Sequence, residues 1–167
     1  MVTIESVTVQ LAMVFKAARL RALEESPRAF SSTYAKEAHF PDEEWISRAS
    51  RWNGEKSILY MAIDGGEPCG IAGVMVEAEQ PTVAVLISMW TAPTHRRSGV
   101  GQMLVNQVLA WCRARGVGTL RLLVTSGNDG AERFYERLGF SRTGRMEPYP
   151  NDPTMMEYEM SRPVGDS

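Results

Sequence analysis

The stretch APTHRRSGVGQML, residues 92–104, joins two different sequence patterns. The preceding run, residues 83–91, carries no charged side chain and is rich in β-branched residues, which favours a strand. The following run, residues 104–112, has apolar residues at helical spacing. A strand therefore ends, and a helix begins, within a segment that contains two adjacent arginines and two glycines.

The start of such a helix is suited to binding an anion. Its first backbone N–H groups have no partner within the helix, and the helix dipole places partial positive charge there. Glycines let a ligand approach the backbone, and Arg96 and Arg97 can donate charge-assisted hydrogen bonds to phosphate oxygens. The segment predicts a cradle for a diphosphate. The alternative is a tight turn with two solvated arginines.

Two common nucleotide-binding motifs do not fit this segment. The dinucleotide fingerprint GxGxxG needs a third glycine after Gly99 and Gly101, but that position is Leu104. The P-loop pattern GxxxxGK[ST] does not occur in the chain.

The remaining periodicity predicts a mixed α/β fold with a central sheet, which we interpret as one domain over residues 1–167. Strands are predicted over residues 3–8, 57–64, 69–77, 83–91, 119–124, 140–145 and 155–161. Helices are predicted over residues 10–25, from about residue 41 to Trp52, and over residues 99–115 and 130–138. Because strands dominate the first half and strands and helices alternate afterwards, we expect a mostly antiparallel sheet.

Composition excludes several classes of protein. With 44% hydrophobic and 23% charged residues, the chain has the make-up of a globular protein rather than a disordered one. Its net charge of −2 argues against binding of bulk nucleic acid. No leader or membrane-spanning run is predicted, and Cys69 and Cys112 fit buried thiols in the cytoplasm. The two histidines suggest no metal site.

Two motifs together resemble the GCN5-related N-acetyltransferases (GNAT). Residues 96–101, RRSGVG, are similar to that family's acyl-CoA-binding signature, Q/R-x-x-G-x-G/A. Residues 128–140 are similar to its N-x-x-A-x-x-F-Y-x-x-x-G-F stretch, through Asn128, Ala131, Phe134, Tyr135 and the final Gly139-Phe140. Both motifs lie at compatible spacing within residues 83–140.

The resemblance implies a sheet whose fourth and fifth strands splay apart around acetyl-CoA. Backbone groups of the fourth strand would bind the pantetheine arm. The backbone amides of residues 97–102, in the loop that contains the two glycines, would bind the pyrophosphate, with no metal required. The implied cofactor-binding residues are Met89, Trp90, Thr91, Arg96, Arg97, Ser98, Gly99, Val100, Gly101, Gln102, Asn128, Ala131 and Phe134.

The implied reaction moves an acetyl group from the thioester to an amine, without a covalent enzyme intermediate. Tyr135 matches the family's tyrosine and would protonate the leaving thiolate, although the same residue could be a packed aromatic. Many family members carry a basic carboxylate on the strand before the loop, but residues 83–91 contain no acid. Glu77 and Glu79 are substitutes that could act through water or simply be solvated, so the base stays unassigned.

The acceptor is expected between the first two helices and the loop at residues 147–153. Aromatic residues of these segments could line a pocket or pack in the core: Phe30, Tyr34, Trp45 and Tyr149. Acidic residues there could attract a cationic amine or be solvated: Glu24, Glu25, Glu37, Asp42, Glu43 and Glu44. We expect a small-molecule amine; an amino acid, a protein amine and a non-catalytic acyl-CoA sensor are the alternatives. A homodimer paired through an exposed final strand is a further possibility.

Overall fold

A computed structural model describes residues 1–165. Seven strands form one sheet in the order β1-β2-β3-β4-β5-β7-β6, in which only the β4–β5 pair is parallel. The strands are β1 (Val2–Ser6), β2 (Ser57–Asp64), β3 (Glu67–Val76), β4 (Val83–Thr91), β5 (Thr119–Thr125), β6 (Ser141–Tyr149) and β7 (Asp152–Pro163). The predicted mixed, mostly antiparallel fold is confirmed.

Five α-helices accompany the sheet: α1 (Ala12–Glu25), α2 (Tyr34–Glu37), α3 (Asp42–Arg51), α4 (Val100–Ala114) and α5 (Asp129–Arg137). Four of them match predicted helices to within three residues at either end. The short α2 was not predicted because a single turn of helix has no hydrophobic period. Its local signal is the Thr33 side chain, which accepts a hydrogen bond from the Lys36 amide.

Helices cover both faces of the sheet. A Cβ atom added at Gly70 in β3 would lie 2.9 Å from the Leu104 side chain of α4. A Cβ atom at Gly73 would instead lie 3.3 Å from Trp52, which follows α3. Since Gly70 and Gly73 point to opposite faces of the strand, α4 and α3 lie on opposite sides of the sheet. Glycine at both positions lets the helices approach closely.

Strands β4 and β5 pair at one end only. Their register joins Val83 to Thr119, Ala84 to Leu120 and Val85 to Arg121, and ends there. Further along β4 a β-bulge places two residues, Ser88 and Met89, opposite one residue of β3. The backbone of Ser88 has a φ of 56°. The two strands thus separate towards their C-terminal ends, as the splayed arrangement requires.

The last strand of the sequence is not an edge strand. Strand β7 pairs with β5 on one side and with β6 on the other, so β6 forms the edge of the sheet. The expectation of an exposed final strand available to a second subunit was therefore wrong. The chain returns from β6 through a tight turn and inserts its last strand beside β5, because β5 would otherwise be left with an unpaired edge.

A buried ion-pair network holds the first three helices together. Arg19 of α1 donates two hydrogen bonds of 3.0 Å to the two carboxylate oxygens of Glu37. Arg48 of α3 donates a further hydrogen bond of 2.9 Å to Glu37. Burial alone would raise the pKa of Glu37, but the hydrogen bonds and charge of Arg19, followed by those of Arg48, lower it to about 2.

Substitution Glu37→Gln should strongly destabilise the protein at neutral pH, by about 3–5 kcal/mol, because two guanidinium groups lose their buried counter-charge. The carboxylate contributes its full stabilisation above its unfolded pKa and loses it as the pH falls towards 2. Urea unfolding at pH 7 and at pH 3 should therefore show a smaller difference between variant and wild type at pH 3. Glu24→Gln, which changes an exposed residue of α1, is the matched control. Equal stability of Glu37→Gln and wild type at pH 7 would show that the two guanidinium groups do not depend on this carboxylate.

Candidate active site

The start of α4 leaves several backbone amides unpaired. Gly99 precedes the helix with a φ of 90°, and no side chain caps the helix at this residue. The Met103 amide donates to the Gly99 carbonyl at 3.0 Å. The three preceding amides, those of Val100, Gly101 and Gln102, donate no hydrogen bond to any backbone group of residues 1–165. These groups form the concave donor surface that a bound anion needs.

The two arginines of the loop have different environments. The Arg96 Nε donates to the Thr91 carbonyl at 3.0 Å, and its guanidinium also contacts the carboxylate of Glu25 in α1. Arg96 therefore fastens the loop to α1. Arg97 has a φ of 64° and an exposed side chain, and its guanidinium has no salt-bridge partner in the described part of the chain. The Ser98 hydroxyl donates to the His95 carbonyl.

The two glycines of the loop serve different purposes. Gly99 has a positive φ and open space beside it, which suits a ligand close to the backbone. A Cβ atom at Gly101 would instead lie 2.8 Å from the Phe134 ring. Gly101 is thus a packing glycine that brings α4 against α5, with Phe134 filling the space beside it.

The gap between β4 and β5 opens into a cavity of about 710 Å³. Four of the residues predicted to bind the cofactor or to act in catalysis line it: Met89, Asn128, Ala131 and Tyr135. Trp90 and Phe134 do not line it. The Trp90 indole points towards α1, where its Nε1 donates to Glu25 at 2.9 Å, so only its backbone can serve a ligand in the gap. The loop residues 96–102 lie outside the cavity lining as well.

Tyr135 is both packed and in contact with the cavity. Its side chain is buried and makes edge contacts with Phe134 and Phe140, at centroid distances of 5.2 and 5.6 Å. Burial raises the pKa of Tyr135, so its hydroxyl keeps its proton at neutral pH. Its hydroxyl makes no hydrogen bond to another group of residues 1–165. The two interpretations of this residue, packed aromatic and proton donor, are therefore compatible.

Asn128 likewise combines two roles. Its Oδ1 accepts a hydrogen bond of 3.2 Å from the Ala131 amide and caps α5. The same side chain lines the cavity, which leaves its amide nitrogen for a ligand.

Neither acid considered from the sequence as a base reaches the cavity. Glu77 forms an ion pair with Arg121, and Glu79 is exposed in the turn before β4. Two acids do line the cavity: Glu147 of β6, at the start of the loop expected beside the acceptor, and Glu157 of β7, which sequence reasoning missed. Glu157 lies opposite Thr125 of β5 and Glu147 of β6 in the sheet register.

Glu157 differs from the other acid on the same face of β7. It is only 8% exposed, yet it forms no salt bridge within residues 1–165. Glu159, two residues on, is paired with Arg121 at 3.0 Å. Burial, and then the charge of Glu147, raise the pKa of Glu157. The alternation of Glu157 and Glu159 places both on one face, but only the β5–β7 register shows which of them meets the cavity.

Of the four aromatic residues predicted near the acceptor, two line the cavity and two do not. Phe30 and Tyr149 line the cavity, and the Tyr149 hydroxyl donates to the Phe30 carbonyl at 2.7 Å. Trp45 is in the core and Tyr34 is outside the lining. None of the six acids considered for this role lines the cavity, so they do not attract an amine from this side; Glu37 is buried in the ion-pair network rather than solvated. The charged residues on this side are arginines: Arg19, Arg28, Arg48 and Arg51.

Metal clusters and membrane-spanning helices are both absent from the described residues. Within residues 1–165, no group of three or more His, Cys, Asp or Glu side chains could hold a metal ion. No helix in the described part of the chain has both the length and the apolar character needed to cross a bilayer.

Two curated relatives are similar to this chain over about 60% of its length. Streptothricin acetyltransferase of Streptomyces lavendulae is 32% identical over 108 residues, covering 63% of this chain and 57% of the relative. The ribosomal protein bS18-alanine N-acetyltransferase of Escherichia coli K12 is 31% identical over 98 residues, covering 58% of this chain and 64% of the relative. The chain thus spans less than two thirds of either relative.

A solved structure agrees over the whole fold. The PaiA N-acetyltransferase from Thermoplasma acidophilum, in complex with coenzyme A, aligns with a TM-score of 0.77 at 14% identity. The alignment covers 98% of this chain and 99% of that protein. The family model for the Acetyltransferase (GNAT) family matches residues 20–140, which contain β2–β5, α4 and α5. This chain therefore belongs to the GNAT family of acetyltransferases.

Proposed function

We propose that this protein transfers the acetyl group of acetyl-CoA to the primary amine of a small molecule. The observation that carries this proposal is the cavity between the separated strands β4 and β5, which is lined by both a protonated phenol, Tyr135, and a buried carboxylate without a salt-bridge partner in the described chain, Glu157. Family membership supports the reaction type, and both curated relatives are named as acetyltransferases.

The residues present fit coenzyme A. Unpaired amides at the start of α4, together with the free guanidinium of Arg97, would hold the pyrophosphate. Beyond Val85, β4 has no pairing partner on the β5 side, so its backbone around Met89, Trp90 and Thr91 can pair with the pantetheine amides. Asn128 and Ala131 line the same gap. Phe134 would act by packing against Gly101 rather than by touching the ligand.

Bound acetyl-CoA supplies an activated acetyl thioester. The protein's residues carry out two proton transfers, one from the amine and one to the departing sulfur. An alkyl amine has a pKa of about 10.4 and must lose a proton before it attacks. Glu157 is the buried acid of the cavity and has no salt-bridge partner within residues 1–165, and its raised pKa makes it the better proton acceptor. Tyr135 keeps its proton at neutral pH and would donate it to the departing sulfur. Direct transfer needs no covalent intermediate, because the two substrates lie side by side.

The size and shape of the cavity support a small acceptor. A volume of about 710 Å³ lies within the usual range of small-molecule sites, about 300–1,000 Å³. The relative named for streptothricin also favours a small molecule, whereas the one named for ribosomal protein bS18 favours a protein amine as the second candidate. A non-catalytic acyl-CoA sensor would bind coenzyme A without releasing thiol.

We also propose that the protein works in a reducing compartment, the cytoplasm. Cys69 and Cys112 are both buried free thiols, and burial raises the pKa of Cys112 to about 11. Such thiols are inert structural residues, which suits an environment without disulfide formation.

The coenzyme A site can be tested through Arg97. Substitution Arg97→Gln should weaken coenzyme A binding by about 3- to 10-fold, because one charge-assisted phosphate contact is lost at an exposed site. Calorimetric titration with coenzyme A measures this change, and Arg137→Gln on α5 is the control with the same charge change. Failure of the wild-type protein to bind coenzyme A at all would refute the proposed function.

Substitution Tyr135→Phe should lower kcat by about 10²-fold or more, since general-acid catalysis contributes about 10²–10⁴-fold. Binding of acetyl-CoA should change little, because the ring and its packing remain. Single-turnover measurements confirm that the chemical step is being observed, and Tyr158→Phe provides a control at another partly buried tyrosine. An unchanged kcat would remove Tyr135 from the mechanism.

Substitution Glu157→Gln should lower kcat/KM by about 10²-fold at pH 7 and abolish the acid limb of its pH profile. The active form of Glu157 is the carboxylate, so wild-type activity should fall as the pH drops through its raised pKa. Glu147→Gln should lower the pKa of Glu157 by removing a like charge, which shifts that limb to lower pH. A pH profile that is the same in all three proteins would show that Glu157 is not the base.

A further inference from the structure

We propose that the acceptor is an amino carboxylate, that is, a small molecule carrying a carboxylate as well as the amine that is acetylated. Arg48 and Arg51 of α3 would bind the carboxylate, and Glu157 with Glu147 would receive the amine. This inference rests on the proposed acetyl transfer and names the substrate class of the same site.

The first observation is an excess of positive charge on one wall of the cavity. Arg19 and Arg48 share a single buried counter-ion, Glu37. Arg19 uses all three of its nitrogens on Glu37 and Ser88. Arg48 uses only Nη1, so its Nε and Nη2 have no acceptor among residues 1–165. One guanidinium therefore faces the cavity with its charge only partly balanced.

Arg51 adds a second guanidinium beside the first. It lies three residues after Arg48 on α3, a spacing that places both on the same side of the helix. Its contact with Glu44 is 3.6 Å long, well beyond the 2.7–2.9 Å of a strong charge-assisted hydrogen bond. Arg51 lines the same cavity and is free to bind a ligand. Paired guanidinium forks match the planar geometry of a carboxylate.

Arg48 is also held in place for such a role. Its guanidinium lies 4.9 Å from the Trp45 ring centroid and 5.6 Å from that of Phe40. With the Glu37 hydrogen bond, these contacts fix the direction of the remaining donors. A preorganised guanidinium loses little entropy when the ligand binds.

The second, independent observation is the opposite charge elsewhere in the same cavity. Glu157 is 8% exposed and without a salt-bridge partner in the described chain, and Glu147 is its neighbour across the sheet. Neither glutamate lies within 4.0 Å of a nitrogen of Arg28, Arg48 or Arg51. A buried carboxylate and partly balanced guanidinium groups thus share a cavity without neutralising each other. A ligand with one positive and one negative end neutralises both.

This arrangement discriminates between classes of amine. The lining carries four arginines and two glutamates, so a diamine or polyamine would meet net repulsion. A neutral monoamine would satisfy Glu157 but leave the arginines uncompensated. An amino carboxylate is the class that pairs with the charges on both walls of the cavity. Its carboxylate would orient the amine towards Glu157.

Matched acceptor pairs test the inference. Thiol release from acetyl-CoA is measured with L-phenylalanine, L-methionine, L-leucine and γ-aminobutyrate, and with the carboxamide of each. We expect kcat/KM to be at least 10-fold higher for the best acid than for its amide. In the three α-amino acid pairs, the amine next to a neutral amide is less basic, with a pKa of about 7.7–8.0 in peptides, so intrinsic reactivity favours the amide. A preference for the acid therefore reports binding of the carboxylate.

Variants then locate the subsite. Arg51→Gln should raise KM for the acid about 10-fold, leave kcat within about 2-fold, and leave kcat/KM for the amide unchanged. The matched control is Arg137→Gln, which changes an exposed arginine on α5 outside the cavity. Arg51 is well exposed, so its loss spares the Glu37 network. Arg48→Lys, which keeps the charge but not the fork, should give the same change in KM if it folds as wild type.

The outcomes separate this inference from the function on which it rests. Equal turnover of acids and amides, or equal effects of Arg51→Gln on both, would overturn the amino-carboxylate inference and leave amine acetylation standing. Turnover of polyamines in preference to both would do the same. Absence of turnover with every compound, while coenzyme A still binds, would overturn acetyl transfer to a small-molecule amine and this inference together.

Discussion

The separation of β4 from β5 is the constraint on which the site depends. Three residue pairs hold the two parallel strands together, and beyond Val85 the backbone of β4 has no partner on that side. Unpaired backbone groups inside a sheet are costly unless a ligand or water satisfies them. The bulge at Ser88 and Met89 bends β4 at this point, and β7 protects the far side of β5. The gap thus persists as a place for an extended ligand rather than closing into a continuous sheet.

Charged side chains from distant parts of the chain line the gap between β4 and β5. Glu37 unites the first three helices through Arg19 and Arg48, and this network also forms one wall of the cavity. The opposite charges of Glu157 and Glu147 come from strands β7 and β6, about 100 residues or more later in the chain. The residues that stabilise the helices therefore also line the cavity, and the Nε and Nη2 groups of Arg48 have no acceptor among residues 1–165.

The loop at residues 96–101 depends on both local backbone conformation and contacts with distant parts of the chain. Gly99 has a positive φ beside open space, which a sequence motif can predict because the requirement is local. Gly101 is needed because the Phe134 ring lies against it, and that contact joins α4 to α5. Arg96 was expected at the phosphates, but its ion pair with Glu25 ties the loop to α1. Of the two loop arginines, Arg97 is the one whose guanidinium has no salt-bridge partner among residues 1–165.

The sequence was enough to predict the seven strands, four of the five helices and the family. These predictions rest on hydrophobic periodicity, turn residues and two motifs, which depend on residues close together in the chain. The motifs also identified Tyr135 and Asn128, which the fold brings to the cavity. The sequence by itself did not determine the bulge, the interior position of β7 or the charges that line the cavity. Strand order and register decide those features: pairing Thr125 with Glu157 brings that carboxylate to the cavity, whereas Glu159, two residues on, meets Arg121. Such contacts join distant segments, and their partners become known only when the chain has folded.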